Sequence, residues 1–282
     1  MLSDPATQPA PPLRGTHILA GIAALTSVML CIPAFQNLGY LWQENDFYGH
    51  AYAIPLVAVY LTIGSRATIA RALRPLQPPA LGSIGAFAAA FVLVVAVVGD
   101  AGFVAGLAIP LLLAATLYAI GGVPLLRPLL LPLAFVALMV PPPAFLRDQL
   151  LVRLKLFVTE TAVDILQRAG VTVTAEGNQI LVPEGALFVA DACSGLTSVV
   201  TMLPISCIVA YFLSRGIWRR ALVVVSVVPL AIVGNITRVL ITILLVSRLG
   251  IEAAQGALHE SFGLATYVVG TLAMIGVARL LR

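Results

Sequence analysis

Three side chains with reactive chemistry stand in apolar surroundings in the second half of this 282-residue sequence. Cys193 lies in "VADACSGLTSVV", between Asp191 and the small residues Ser194, Gly195, Thr197 and Ser198. Arg238 lies in "GNITRVLITILL", three residues after Asn235, and His259 lies in "ALHESFG". A thiol, a guanidinium and an imidazole supply a nucleophile, a stabiliser of an oxyanion or carboxylate, and a proton carrier. Those are the parts needed for chemistry on a carbonyl carbon. Each residue alone also has a plainer reading: a capped helix start, an arginine reaching lipid headgroups, an interfacial histidine. Where the chain places the three decides between these readings.

The elements that must position them belong to a membrane protein. Hydrophobic residues make up 60% of the chain and charged residues 10%, against about 25% charged in a soluble domain, and mean hydropathy is +1.05. The 19 prolines and 23 glycines suit broken helices, which a bilayer tolerates when neighbours satisfy the freed backbone groups. The net charge of +4 is spread over loops and gives no sign of a nucleic-acid partner. Cys31, Cys193 and Cys207 show no paired spacing, so neither a disulfide framework nor a metal site is expected. Cys31 and Cys207 sit inside apolar runs, where a free thiol behaves as a small hydrophobe. No cofactor is called for.

The Pro-rich residues 1–16 read as a disordered tail, and 17–282 as a single transmembrane domain. A spanning helix needs roughly 17 to 25 mostly apolar residues. The spans expected are 17–35, 49–65, 80–99, 102–121, 123–140, 193–213, 221–247 and 261–280. The fold class is therefore an all-α polytopic membrane protein of about eight transmembrane helices. With both termini inside, the inner segments hold Arg14, Arg66, Arg71, Arg74, Arg127, Arg215, Arg219, Arg220, Arg279 and Arg282. The outer segments hold only Arg147, Arg153, Lys155, Arg168 and Arg248. The positive-inside rule thus gives an N-in, C-in protein. The outer insertion at about 141–192 opens with an amphipathic helix: Leu146, Leu150, Leu154, Phe157, Val158, Thr161 and Ile165 recur at helical spacing, for a helix on the outer membrane surface. A small β-hairpin or meander follows, turning at Glu176-Gly177-Asn178 and Glu184-Gly185.

The chain then re-enters the membrane at Cys193 from outside. Asp191 as N-cap would put Cys193 in the first helical turn, where the helix dipole lowers a thiol pKa. Arg238 falls in the outer half of the seventh span, where arginine costs roughly 2.5 to 3.5 kcal/mol and normally faces a cavity or a partner. His259 stands at the outer start of the eighth span, where the dipole favours the neutral imidazole of a general base. Three helices thus bring three different reactive groups to one leaflet.

"ACSGLTS", "NITR" and "HESFG" resemble the signature blocks of the exosortase/archaeosortase family, multi-spanning membrane cysteine transpeptidases. "LMVPPP", "GNQILVPEG" and "VADACSG" follow in that family's order, and the resemblance runs from about residue 40 onward. It implies that Cys193, Arg238 and His259 are catalytic, with Asn235, Asp191 and Ser194 as supporting neighbours. "NDFYGHAYAIPLVAVYL" is similar to an early D-x-Y-x-H block and brings in Asp46, Tyr48 and His50, although Ala51 stands where the family often has glycine. The resemblance further implies a cytoplasmic-membrane enzyme with its site toward the outside. Its partners would be the C-terminal sorting-signal helices of secreted proteins, of the PEP-CTERM type, and an acceptor that the sequence does not identify. The competing class is a transporter or lipid-binding scaffold that uses Arg238 and Asn235 to hold an anionic substrate.

Overall fold

A computed structural model describes residues 14–44, 46–73, 80–191, 194–254 and 256–282, with backbone only at 14–15, 46, 80, 253–254 and 256–260. Most of the expected tail and Cys193 itself lie outside the described residues, as do the side chains of Asp46 and His259. The chain forms two compact units, residues 1–141 and 142–282.

The first unit is all helix: α1 (Arg14–Gln43), α2 (Ile54–Gly64), α3 (Arg66–Ala72), α4 (Ala80–Val98), α5 (Gly102–Leu126) and α6 (Leu130–Leu138). A 3-10 helix at Asp46–Ala53 leads into α2. Cys31 and Leu38 of α1, Leu93 of α4, Ile109 and Leu112 of α5 and Phe135 of α6 are buried together in its interior. Two hydrogen bonds tie distant segments: Ser27 and Thr116 share one at 2.8 Å, and Trp42 Nε1 donates to the Met139 carbonyl at 2.8 Å.

Among the described residues, seven helical stretches are long and apolar enough to cross a membrane. The difference from eight lies in one stretch, Gly102–Leu138, of 37 residues. Straight, it would run about 55 Å at 1.5 Å per residue, nearly twice the roughly 30 Å hydrocarbon core. It is not straight. At Gly122 the backbone turns to φ 63° and ψ −158°, a conformation open to glycine and closed to most other residues. That break separates the fourth expected span from the fifth.

The second unit contains α7 (Ala144–Arg168), a three-stranded antiparallel sheet, α8 (Leu196–Leu213), α9 (Ile217–Leu249) and α10 (Gly256–Leu280). The strands β1 (Thr174–Glu176), β2 (Gln179–Val182) and β3 (Gly185–Phe188) form the expected meander. Glu176 pairs with Gln179 and Val182 with Gly185, so two-residue turns close both hairpins.

The amphipathic helix divides its hydrophobic residues between the protein interior and its outer face. Its buried residues are Val158, Thr159, Ala162, Val163 and Leu166. With Ile180, Val182, Leu187, Val239, Ile243 and Val246, the four apolar ones build a core between α7, the sheet and α9. Leu146, Leu150, Phe157 and Ile165 of the expected stripe are exposed, in keeping with a helix whose apolar face meets lipid, while Val158 of the same stripe is buried. In a protein bathed in lipid, an outward apolar stripe costs little, so periodicity alone does not reveal which face meets protein. A second core, with Met202 of α8, Val223, Val227 and Ala231 of α9 and Met274 and Ala278 of α10, joins the other three helices.

Candidate active site

α9 is the platform. Its 33 residues span about 50 Å at 1.5 Å per residue, and it packs against α7, α8 and α10. Asn235, 4% exposed, donates from Nδ2 to the Ser198 hydroxyl at 3.1 Å and to the Ala231 carbonyl at 2.8 Å. Ser198 belongs to the first turn of α8, so Asn235 docks the start of that helix onto α9. A Cβ added at Gly195 would sit only 3.4 Å from the same Nδ2.

The local start of α8 corrects one expectation. Asp191 is not its N-cap. That position belongs to Gly195, with φ 90° and ψ −17°, and the first helical residue is Leu196. A left-handed backbone suits glycine, and Asp191 stands too far upstream to reach the free N–H groups of the first turn. Ser194 does part of the capping instead. Its Oγ accepts from the Leu196 N–H at 3.2 Å, and its own N–H donates to the Asp191 carbonyl at 3.1 Å. Position 193 therefore precedes the helix, and a first-turn dipole effect on the thiol no longer follows.

Asp191 has a different partner. Its carboxylate forms an ion pair with Lys155 of α7, whose side chain is 14% exposed. Asp191 is thus tied to Lys155, and Ser194 is fully buried.

Arg238 lies half-buried on α9, and its guanidinium is turned onto α10. A Cβ built at Gly263 would stand 2.9 Å from Cζ, 3.0 Å from Nη2 and 3.1 Å from Nη1. The absent side chain of Gly263 is what lets the guanidinium lie flat against the helix. His259 is the fourth residue of α10, one turn before Gly263, and positions four apart share a helix face. Its place in the first turn agrees with the sequence.

Tyr48 and His50 belong to the first unit. They stack with ring centroids 5.6 Å apart, in the 3-10 helix that begins at Asp46, and Tyr48 is buried. Sequence reasoning overlooked three contributors to the site region. Gly263 was visible only as the end of "HESFG". Lys155 was one charge among several on an amphipathic helix. Ser198 was one hydroxyl in a run, with nothing local to link it to Asn235, 37 residues away.

The profile of the transmembrane exosortase family matches residues 42–276. The chain belongs to that family. No curated protein and no solved structure matches it. The matched range takes in every residue singled out above, from the 3-10 helix through Gly263. An exosortase is a multi-pass membrane protein, in keeping with the long apolar helices, and family membership supports a membrane transpeptidase role in general terms.

Proposed function

We propose that this exosortase is a cysteine transpeptidase of the cytoplasmic membrane, with both termini inside and its site toward the outside. Its substrates are secreted proteins bearing a C-terminal sorting signal of the PEP-CTERM type. His259 takes the proton of the Cys193 thiol, and the sulfur attacks the carbonyl carbon near the signal motif. The Arg238 guanidinium stabilises the oxyanion or orients the peptide. The C–N bond then breaks, and the leaving amine takes the proton from imidazolium. An amine or other acceptor loses a proton to His259 and attacks the thioester, which releases the Cys193 sulfur.

The observation that best supports this reading is the setting of Arg238. Its guanidinium rests on α10 at Gly263, one helical turn from the position of His259, which favours a role beside the histidine over one among headgroups. The experiment follows processing of a signal-bearing protein in intact cells. Cys193→Ala should abolish it, whereas Cys31→Ala and Cys207→Ala should not. Arg238→Lys should lose most of it, since a point charge does not replace a planar fork of donors. Full processing by Cys193→Ala would end the thioester mechanism. With Arg238 still essential, that result would favour the transporter or scaffold.

A further inference from the structure

The end of the second unit remote from Arg238 collects positive charge. Arg215, Arg219 and Arg220 stand where α8 passes into α9, and Arg279 and Arg282 at the end of α10. One core brings these segments together, since Ala210 of α8, Val223 of α9 and Ala278 of α10 are buried in it. Between them lies a cavity of about 440 Å³ lined by Phe212, Leu213, Arg215 and Arg282.

Few acidic residues from α8 to the end of α10 neutralise this charge. From Ser194 to Arg282 the only acidic residues are Glu252 and Glu260, both beyond the far end of α9. The ion pairs among the described residues join Arg147 to Asp148, Lys155 to Asp191 and Arg168 to Asp164. Arg220 is engaged elsewhere. Its guanidinium donates to the carbonyls of Ser214 at 3.2 Å and Tyr211 at 3.3 Å and lies over the Tyr211 ring. Arg215 and Arg282 are exposed at the cavity.

The cavity's lining combines two basic and two apolar side chains. Ile217 and Trp218, at the start of α9 and close to Arg215 in the chain, are exposed, and tryptophan settles at the headgroup level of a bilayer. A ligand that fits has a negative head and a hydrocarbon body. We propose that this cavity binds an anionic phospholipid, its headgroup phosphate held by Arg215 and Arg282 and the start of its chains against Phe212 and Leu213. Basic pockets between helices at a membrane face recognise anionic headgroups in this way. In the proposed orientation the cavity opens to the inner leaflet. The inference rests on the membrane fold and not on the transpeptidase mechanism.

The test places the full-length protein in phosphatidylcholine nanodiscs. It compares the immobilised fraction of spin-labelled phosphatidylglycerol with that of spin-labelled phosphatidylcholine. The unaltered protein should select phosphatidylglycerol several-fold, and Arg215→Gln with Arg282→Gln should remove most of the preference. Arg66→Gln with Arg71→Gln, in the first unit, should leave it in place. Equal loss in both double variants would mean diffuse charge attraction and would overturn the site. Displacement by inorganic phosphate as effective as by unlabelled phosphatidylglycerol would overturn the lipid assignment. If the first double variant does not fold, the unaltered protein still decides: no preference over phosphatidylcholine, or a preference indifferent to salt, rejects the proposal.

Discussion

Gly263 lacks a side chain at a place where the Arg238 guanidinium fills the room that one would need. A methyl group there would stand 2.9 Å from Cζ, closer than van der Waals contact allows, so Gly263→Ala must push the guanidinium aside. Displacing a positioned group by about 1 Å can cost on the order of a hundredfold in rate, and a loss of that order is expected in processing. Gly276, on the same helix with nothing within 4 Å of a built Cβ, is the control. Gly276→Ala should leave processing unchanged, because alanine is the better helix former by about 1 kcal/mol. Equal activity of the two variants, measured at matched membrane levels, would remove Gly263 from the site. Cys193, Arg238 and His259 stood out in the sequence as candidates because a polar group in an apolar run is conspicuous. A glycine in a helix rich in small residues is not.

At the scale of elements, Lys155 links α7 to Asp191, two positions before 193 in the sequence. The ion pair with Asp191 has one partner largely shielded and the other 58% exposed, so its worth to stability is small, about 1 kcal/mol or less. Its value lies in placement. Lys155→Asp should slow processing several-fold, and Asp191→Lys should do likewise. The double exchange, with both charges reversed, should recover most of the rate if the pair acts through geometry. Thermal unfolding should move little in any of the three. A double exchange no better than the single variants would show that Lys155 and Asp191 act separately. The order of the apolar helices and the β-meander were readable from apolar run lengths and Gly-containing turns, although α1 runs on to Gln43 where 17–35 was expected. The packing face of α7 was not, because both of its faces carry hydrophobic residues and only the sheet and α9 choose between them. The start of α8 was misplaced for a related reason: Asp191 has the right type for a cap, but Lys155 engages it.

For the whole molecule the open quantity is orientation across the membrane. Asn178 lies in the exposed turn between β1 and β2, and Ile217, 74% exposed, opens α9. Single cysteines at these positions, in a chain otherwise free of cysteine, should respond oppositely to an impermeant thiol reagent. Asn178→Cys should label on intact cells, and Ile217→Cys only after the membrane is opened. The reverse pattern would turn the site toward the cytoplasm and exclude processing on the outer face. The count of spans was legible even in Gly102–Leu138, since the expected boundary between 102–121 and 123–140 falls at Gly122, whose conformation divides an otherwise unbroken apolar run.

The fit of guanidinium to helix at positions 238 and 263 also bears on how such a sequence can drift. Arginine can be lost with glycine left in place, since removing a group from a contact creates no collision. Glycine lost while arginine stays forces the flexible end of the arginine off the helix, so the charge persists without its seat. The two orders of change therefore leave different remnants, an empty seat in one case and an unseated arginine in the other.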